Sequence, residues 1–267
     1  MQKKSKLSIP QNSRRIYFEP KSYFRNDFQR DRDRIIHSTA FRRLKHKTQV
    51  FVNTTSDHYR TRITHSMEVS QIARTIARHL SLNEDLSETL SLSHDLGHTP
   101  FGHAGEEVLC ECMNKYGGFD HNIQTLRIIT LLENRYYNFN GLNLSFETLD
   151  GLIKHNGPVL NKTKIDKILG KNFFKNKINF NTSPSLEAQI ASISDDIAYN
   201  SHDLEDGLNA KLFKLNDVTK IPVLESLINK HKKKLTNYSQ ELVLRQIIRD
   251  IINEMVKDVI NNTKTNL

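Results

Sequence analysis

Cysteine is scarce in this 267-residue chain: Cys110 and Cys112 are the two it has. They stand two apart in helical text, where neighbouring side chains diverge, and neither has a CxxC partner. No disulfide framework follows, and both are expected to be reduced packing residues. Long apolar runs are missing as well. No stretch approaches the roughly 18 to 20 apolar residues that cross a bilayer. The start, Met1-Gln2-Lys3-Lys4-Ser5-Lys6, has no apolar segment behind it that would make a signal peptide. The expectation is a cytoplasmic protein without a membrane partner. Alternating strand text of useful length, internal repeats and heptad runs are also absent, so the fold class expected is all-α.

What is present suits a globular protein. Hydrophobic residues make up 37% of the chain, enough for one large helical domain or two small ones. Thirty-nine Lys and Arg against thirty Asp and Glu give a net charge of +9, which suits a polyanionic partner such as a nucleotide or nucleic acid. The excess lies in the tail before Arg15 and in stretches near 161–177 and 211–234. There Lys, Asn and Ile dominate, as a compositional bias would make them. Charge alone therefore does not establish nucleic-acid binding.

The chain reads as a basic flexible tail over 1–15, an N-terminal helical segment over 16–59, a central domain over 60–207, and a C-terminal helical segment over 208–267. In the central domain His65, Val69, Ile72 and Ile76 share one helical stripe, so His65 points inward. Asn83 followed by Glu84 and Asp85 starts the next helix. Leu90 and His94 share its inner face, and Gly97 is placed to end it. A further helix is expected near 146–155. The Lys- and Asn-rich segment 161–184 reads as an insertion or loop. From Ser185 a strong helix resumes, with Ala188, Ala191, Asp195, Ala198 and Tyr199 on one face.

Four side chains on three of these helices are potential metal ligands: His65, the adjacent His94 and Asp95, and a carboxylate at Asp195 or Asp196. Each lies on an otherwise apolar stripe, where a polar group is costly unless paired or metallated. Imidazole with carboxylate suits a divalent ion that polarises a phosphoryl oxygen and acidifies bound water. One inward histidine would ordinarily be a satisfied core residue. The stretch from His94 to Glu106, however, holds three histidines and two acids in thirteen residues, a density hard to explain by packing.

That stretch, His94-Asp95-Leu96-Gly97-His98-Thr99-Pro100-Phe101-Gly102-His103-Ala104-Gly105-Glu106, closely resembles the HDxGHxPFGHxGE signature of the deoxyguanosine triphosphate triphosphohydrolase family within the HD superfamily. The segments Asp31 to Leu44, Lys47 to Phe51, Arg62 to Ser66 and Ser185 to Tyr199 are similar to that family too, in the same order, and the resemblance covers roughly 15–260. It implies an HD-domain helical bundle with His65, His94, Asp95 and Asp195 as metal ligands. Asp195, Tyr199 and Asp203 recur at four-residue intervals on one face, which supports Asp195 over Asp196. By the same resemblance His103 and Glu106 form the catalytic dyad, and His121 is a further active-site histidine. Tyr199 and Asp203 contact the deoxyribose and phosphate region, and Gln49, Arg62, His98 and Lys154 are candidates for holding the sugar or triphosphate.

The reaction implied is in-line attack of water on the α-phosphorus, with the 5′-oxygen leaving, giving a deoxynucleoside and tripolyphosphate. Mg²⁺ or Mn²⁺ is the expected cofactor, although Fe, Ni or Zn fits the same ligands. A homo-oligomer is expected by family analogy. Two alternatives stand beside this reading: an HD phosphohydrolase acting on another nucleotide phosphoester, and an inactive remnant that binds nucleotide or nucleic acid. The second gains from length, because family members continue well past the residues that match Arg249 to Val256, so the C-terminal segment is expected to be short.

Overall fold

The computed structural model describes residues 5–11, 13–52, 59–159, 161–174, 177–232, 234 and 237–266. Its regular elements are helices: α1 (Asp27–Ile36), α2 (Thr39–Arg43), α3 (Arg62–His79), α4 (Glu84–Ser93), α5 (Gly102–Cys112), α6 (His121–Arg127), α7 (Phe146–Ile153), α8 (Thr163–Leu169), α9 (Leu186–Asn209), α10 (Pro222–Lys232) and α11 (Gln240–Asn266). Between described residues, β pairing is confined to isolated bridges such as Thr48 with Thr61. The all-α expectation holds. No described helix is long and apolar enough to cross a membrane.

The chain divides into two compact units, one ending at Asp195 and one beginning at Asp196. In the first, α4 packs against α1, α3 and α7. Its start is set by Asn83, whose side-chain oxygen accepts the Leu86 N–H at 3.2 Å while its amide donates to the Ile9 carbonyl at 3.0 Å. Leu86 and Leu90 then enter a core with Phe28, Ile35, Leu44, Leu96, Ile129 and Leu149. Burying each such side chain stabilises by about 1.5–3 kcal/mol, which is what holds α4 in the middle. The second unit has its own core, in which Leu224, Leu227 and Ile228 of α10 meet Val243, Leu244, Ile247 and Ile251 of α11.

The basic N-terminal stretch makes polar contacts where it is described. Ser5 N–H donates to Ser81 O, Ile9 N–H to Glu187 Oε1 and Ser13 N–H to Asp27 Oδ2, and Arg15 is buried against Asp31. These residues lack apolar periodicity because their hold is polar. The segment 161–184 is not a plain loop: it carries α8, and Ile165, Phe174 and Ile178 are buried in the first core. Lys and Asn between those anchors mask the pattern. Cys110 and Cys112 are free but exposed, so they are not packing residues.

Candidate metal centre and active site

Helix α3 delivers His65 from its first turn, buried, with Nε2 2.8 Å from Asp195 Oδ1. His94 follows the last turn of α4, and its Nδ1 meets the Ser91 carbonyl at 2.7 Å. A carbonyl only accepts, so Nδ1 carries a proton, and Nε2 faces Asp195 Oδ1 at 3.5 Å. The ligand atoms of His65, His94 and Asp195 all lie within 4.8 Å of one another. Asp95 borders this group: its Oδ1 lies 3.6 Å from His94 Nε2 and accepts from Arg62 Nη1 at 2.9 Å. His155, just past α7, places Nε2 3.7 Å from Asp195 Oδ2 and stacks on His94 with ring centroids 5.5 Å apart.

Electrostatics follow from this crowding. Burial disfavours a charged His94, but Asp95 and Asp195 outweigh it and raise its pKa to about 9. Burial alone would push both carboxyls up. Instead His94 and Arg62 hold Asp95 well below the usual carboxylate range, and His94, His155 and His65 do the same for Asp195. Two carboxylates thus keep a positive charge between them. His94 Nε2 and Asp95 Oδ2 are buried without a hydrogen-bond partner. A divalent cation between the carboxylates would take the place of the proton they favour on Nε2 and satisfy both buried atoms, so the residues fit a metal.

A second group stands beside the first. His98 is buried, and its N–H donates to the Asp95 carbonyl at 3.1 Å. Burial, with Arg62, His121 and His103 nearby and only Asp95 opposing, pushes its pKa down to about 2, so the imidazole is neutral. Its ring stacks on His121 with centroids 4.1 Å apart. Glu106 Oε1 accepts the backbone N–H of His121 at 2.9 Å, and His121 Nδ1 lies 2.9 Å from both carboxylate oxygens. Burial opposes ionisation of Glu106, but these bonds outweigh it and lower its pKa. Two glycines allow the approach. A Cβ on Gly97 would come within 2.1 Å of the His121 carbonyl oxygen, and one on Gly105 within 2.0 Å of the Pro100 carbonyl oxygen.

The structure thus brings His65, His94, Asp95 and Asp195 into one neighbourhood and His98, His103, Glu106 and His121 into another next to it. His103 is the outlying member: its side chain is 74% exposed and its Nδ1 lies 3.6 Å from Glu106, so the tighter partner of Glu106 is His121. Arg62 and Gln49 converge on Gly102, whose added Cβ would meet Arg62 Nη2 at 3.5 Å and the Gln49 carbonyl oxygen at 3.6 Å. Lys154 is 2% exposed, with its ammonium 2.6 Å from Asp150 and 2.9 Å from the Thr182 hydroxyl. Tyr199 and Asp203 belong to the second unit, where Tyr199 is 46% exposed. Asp196 is exposed on α9.

Sequence reasoning missed His155 and Lys47. His155 follows Leu152 by three residues and so continues the inner face of α7, a signal hidden by the Asn156-Gly157-Pro158 stop. Lys47 Nζ donates to the Leu96 carbonyl at 3.1 Å, and its own carbonyl accepts the Arg62 N–H at 3.0 Å. It joins the Gln49 segment to the turn after Asp95.

A family model described as "HD domain" matches residues 62–200. A Pelagibacter ubique protein named "Deoxyguanosinetriphosphate triphosphohydrolase-like protein" is 60% identical over 253 residues, covering 95% of this chain and 68% of its own length. A Rickettsia rickettsii protein of the same name is 49% identical over 264 residues, covering 98% of this chain and 68% of itself. A Bartonella henselae protein, again of that name, is 54% identical over 264 residues, with 97% and 66% covered. Among solved structures, the HD domain of the L. monocytogenes phosphodiesterase PgpH in complex with cyclic-di-AMP covers 73% of this chain at 18% identity and a TM-score of 0.35.

Proposed function

We propose that this chain, which belongs to the HD domain family and is a metal-dependent phosphohydrolase, cleaves deoxynucleoside triphosphates to a deoxynucleoside and tripolyphosphate. The observation that carries this reading is the Glu106–His121 pair, bonded at 2.9 Å and joined through the stacked His98 to the Asp95 side of the metal ligands. A bare phosphoesterase centre needs only the His65, His94, Asp95 and Asp195 set. A charge-oriented imidazole beside it serves a reaction whose alkoxide leaving group needs a proton.

His65, His94, Asp95 and Asp195 would hold the cation, with Mg²⁺ or Mn²⁺ as the physiological choice. When bound, it supplies Lewis-acid polarisation of a phosphoryl oxygen and a more acidic water. The protein's own groups do the rest. Arg62, fixed by Asp95, and Gln49 line the approach beside Gly102, where a planar guanidinium suits phosphate oxygens. Glu106 takes the Nδ1 proton of His121 as a hydrogen bond, which leaves Nε2 to deliver or accept a proton at the 5′-oxygen. His103 stands exposed at the rim of the same group. Tyr199 and Asp203 are assigned to the sugar.

The phosphohydrolase domain in this reading is 60–207, with 16–59 contributing substrate contacts and 208–267 a C-terminal helical segment. Cytoplasmic location and homo-oligomeric assembly are taken with it by analogy. The test is to incubate the purified chain with Mn²⁺ or Mg²⁺ and each of the four deoxynucleoside triphosphates. Tripolyphosphate release is expected. Diphosphate or monophosphate as the product, or cleavage of other nucleotide phosphoesters alone, overturns the reading.

A further inference from the structure

Three side chains outside the His65–His94–Asp195 group offer ligand atoms that also lie within 4.8 Å of one another: His98, Glu106 and His121. They come from three places in the chain, the turn after Asp95, helix α5 and the first residue of α6. Their arrangement is held from the backbone as well as the side chains. Glu106 bonds the backbone N–H of His121, and Gly97 N–H donates to Thr125 Oγ1 at 2.9 Å, fastening the His98 turn to α6. Gly97 packs so closely on α6 that a Cβ there would lie 2.1 Å from the His121 carbonyl oxygen.

The donors are of one chemical type. Two imidazole nitrogens with one carboxylate oxygen form the ligand set of tetrahedral zinc centres that keep a fourth position open. His98 is 6% exposed, and its Nδ1 is buried without a hydrogen-bond partner. An orphaned ring nitrogen in a buried place is costly and calls for an explanation. A hard ion with oxygen preference gains little from two imidazoles, whereas Zn²⁺ and its neighbours late in the first transition row gain most. The His65 group is poorer in that sense, since Asp195 and Asp95 bring carboxylate oxygens that also suit Mg²⁺ or Mn²⁺.

We propose that His98, Glu106 and His121 form a second cation site, distinct from the His65–His94–Asp195 centre, that binds Zn²⁺ or a similar borderline metal and switches turnover off. The switching half rests on the reading of Glu106 and His121 as the proton-handling pair. A cation held by both residues displaces the proton they share, the displaced proton goes to solvent, and the pair can no longer pass one to a leaving group. Release of the metal restores it.

The experiment uses the full chain, stripped with a chelator, loaded with Mn²⁺ and titrated with buffered Zn²⁺. Bound metal is counted by elemental mass spectrometry, and heat is followed by calorimetry. The wild-type chain is expected to bind two metal equivalents. His98→Gln and Glu106→Gln are each expected to lose one, with Zn²⁺ affinity at the remaining second position down by more than about 100-fold, while Asp195→Asn loses the other. Circular dichroism selects folded variants, and either variant suffices if the other fails to fold. Co²⁺ loaded in place of Zn²⁺ is expected to show visible bands of four-coordinate type that vanish in His98→Gln. One equivalent in the wild type, or a second equivalent untouched by both variants, overturns the site. Mn²⁺-supported tripolyphosphate release is measured on the same samples. If release is present and falls at least about tenfold as the second equivalent fills, the switch stands. If release is present and unchanged by Zn²⁺ at full occupancy, the switch fails. If there is no release with Mn²⁺ alone while the second equivalent still tracks His98, the triphosphatase reading fails and the cation site stands.

Discussion

His155 Nε2 lies 3.7 Å from Asp195 Oδ2, the oxygen opposite the one that meets His65. An imidazole thus stands near each oxygen of the carboxylate, which restricts how it can turn toward a cation. Partners of this kind usually contribute about 10–100-fold to metal affinity. His155→Ala is expected to weaken Mn²⁺ binding by about that factor while leaving kcat at saturating Mn²⁺ much less affected. Isothermal titration of the variant measures it, and an unchanged affinity would show that His155 does not orient Asp195.

How much of this could be read from the chain alone depends on periodicity. His65 and His94 fall on apolar stripes at spacings of three and four, so their inward direction was legible, and the dense run from His94 to Glu106 marked the chemistry. The partner of Glu106 was not legible. His103 is three residues away and His121 fifteen, yet the turn through Gly117 and Gly118 returns the chain so that the distant histidine is the closer one. The inward pairing of Lys154 was not legible for a related reason: Asp150 lies one turn back, but Thr182 comes from a distant segment. The packing of 161–184 was hidden because its anchors Ile165, Phe174 and Ile178 are separated by polar residues at no fixed period.

Glu106 and His103 can be ranked by experiment. Glu106→Gln removes the charge that orients His121, and general acid–base groups contribute about 10²–10⁴-fold, so kcat for tripolyphosphate release is expected to fall by at least about 100-fold. His103→Gln, at a mostly exposed position, is expected to cost less. Steady-state assays of both variants at saturating Mn²⁺ decide the order. A larger loss for His103 would return the leading role to the nearer histidine.

The buried anchor of the N-terminal segment yields a stability prediction. Asp31 accepts from Arg15, from the backbone N–H and hydroxyl of Ser145, and from the hydroxyl of Thr148. Both charged side chains are nearly inaccessible, at 5% for Arg15 and 0% for Asp31. Removing one partner leaves the other charge buried and unpaired, which costs about 3–5 kcal/mol. Arg15→Ala is expected to lower the unfolding free energy in urea by that amount. A loss below about 1 kcal/mol, as at an exposed pair, would mean that this segment is not fastened through Asp31.

Lys47 gives the stability of the chain a distinctive pH dependence. Burial, reinforced by Arg43 and Arg62 and opposed by Asp95, pushes its pKa from 10.5 down to about 8. The unfolded chain keeps this proton up to pH 10.5, but the folded chain gives it up near pH 8. Between those values the unfolded state binds more protons, so the Lys47 contribution to stability rises with pH across the window and is flat below it. Lys47→Met lacks this slope. Urea midpoints of wild type and variant, measured from pH 7 to pH 10.5, are expected to shift in favour of the wild type as pH rises, with other titrating groups cancelling in the difference. The variant also forfeits the bond to the Leu96 carbonyl, which lowers its curve by a constant and does not alter the slope. Parallel curves over the whole range would show that Lys47 is solvated like a surface lysine and does not tie the Gln49 segment to the turn after Asp95.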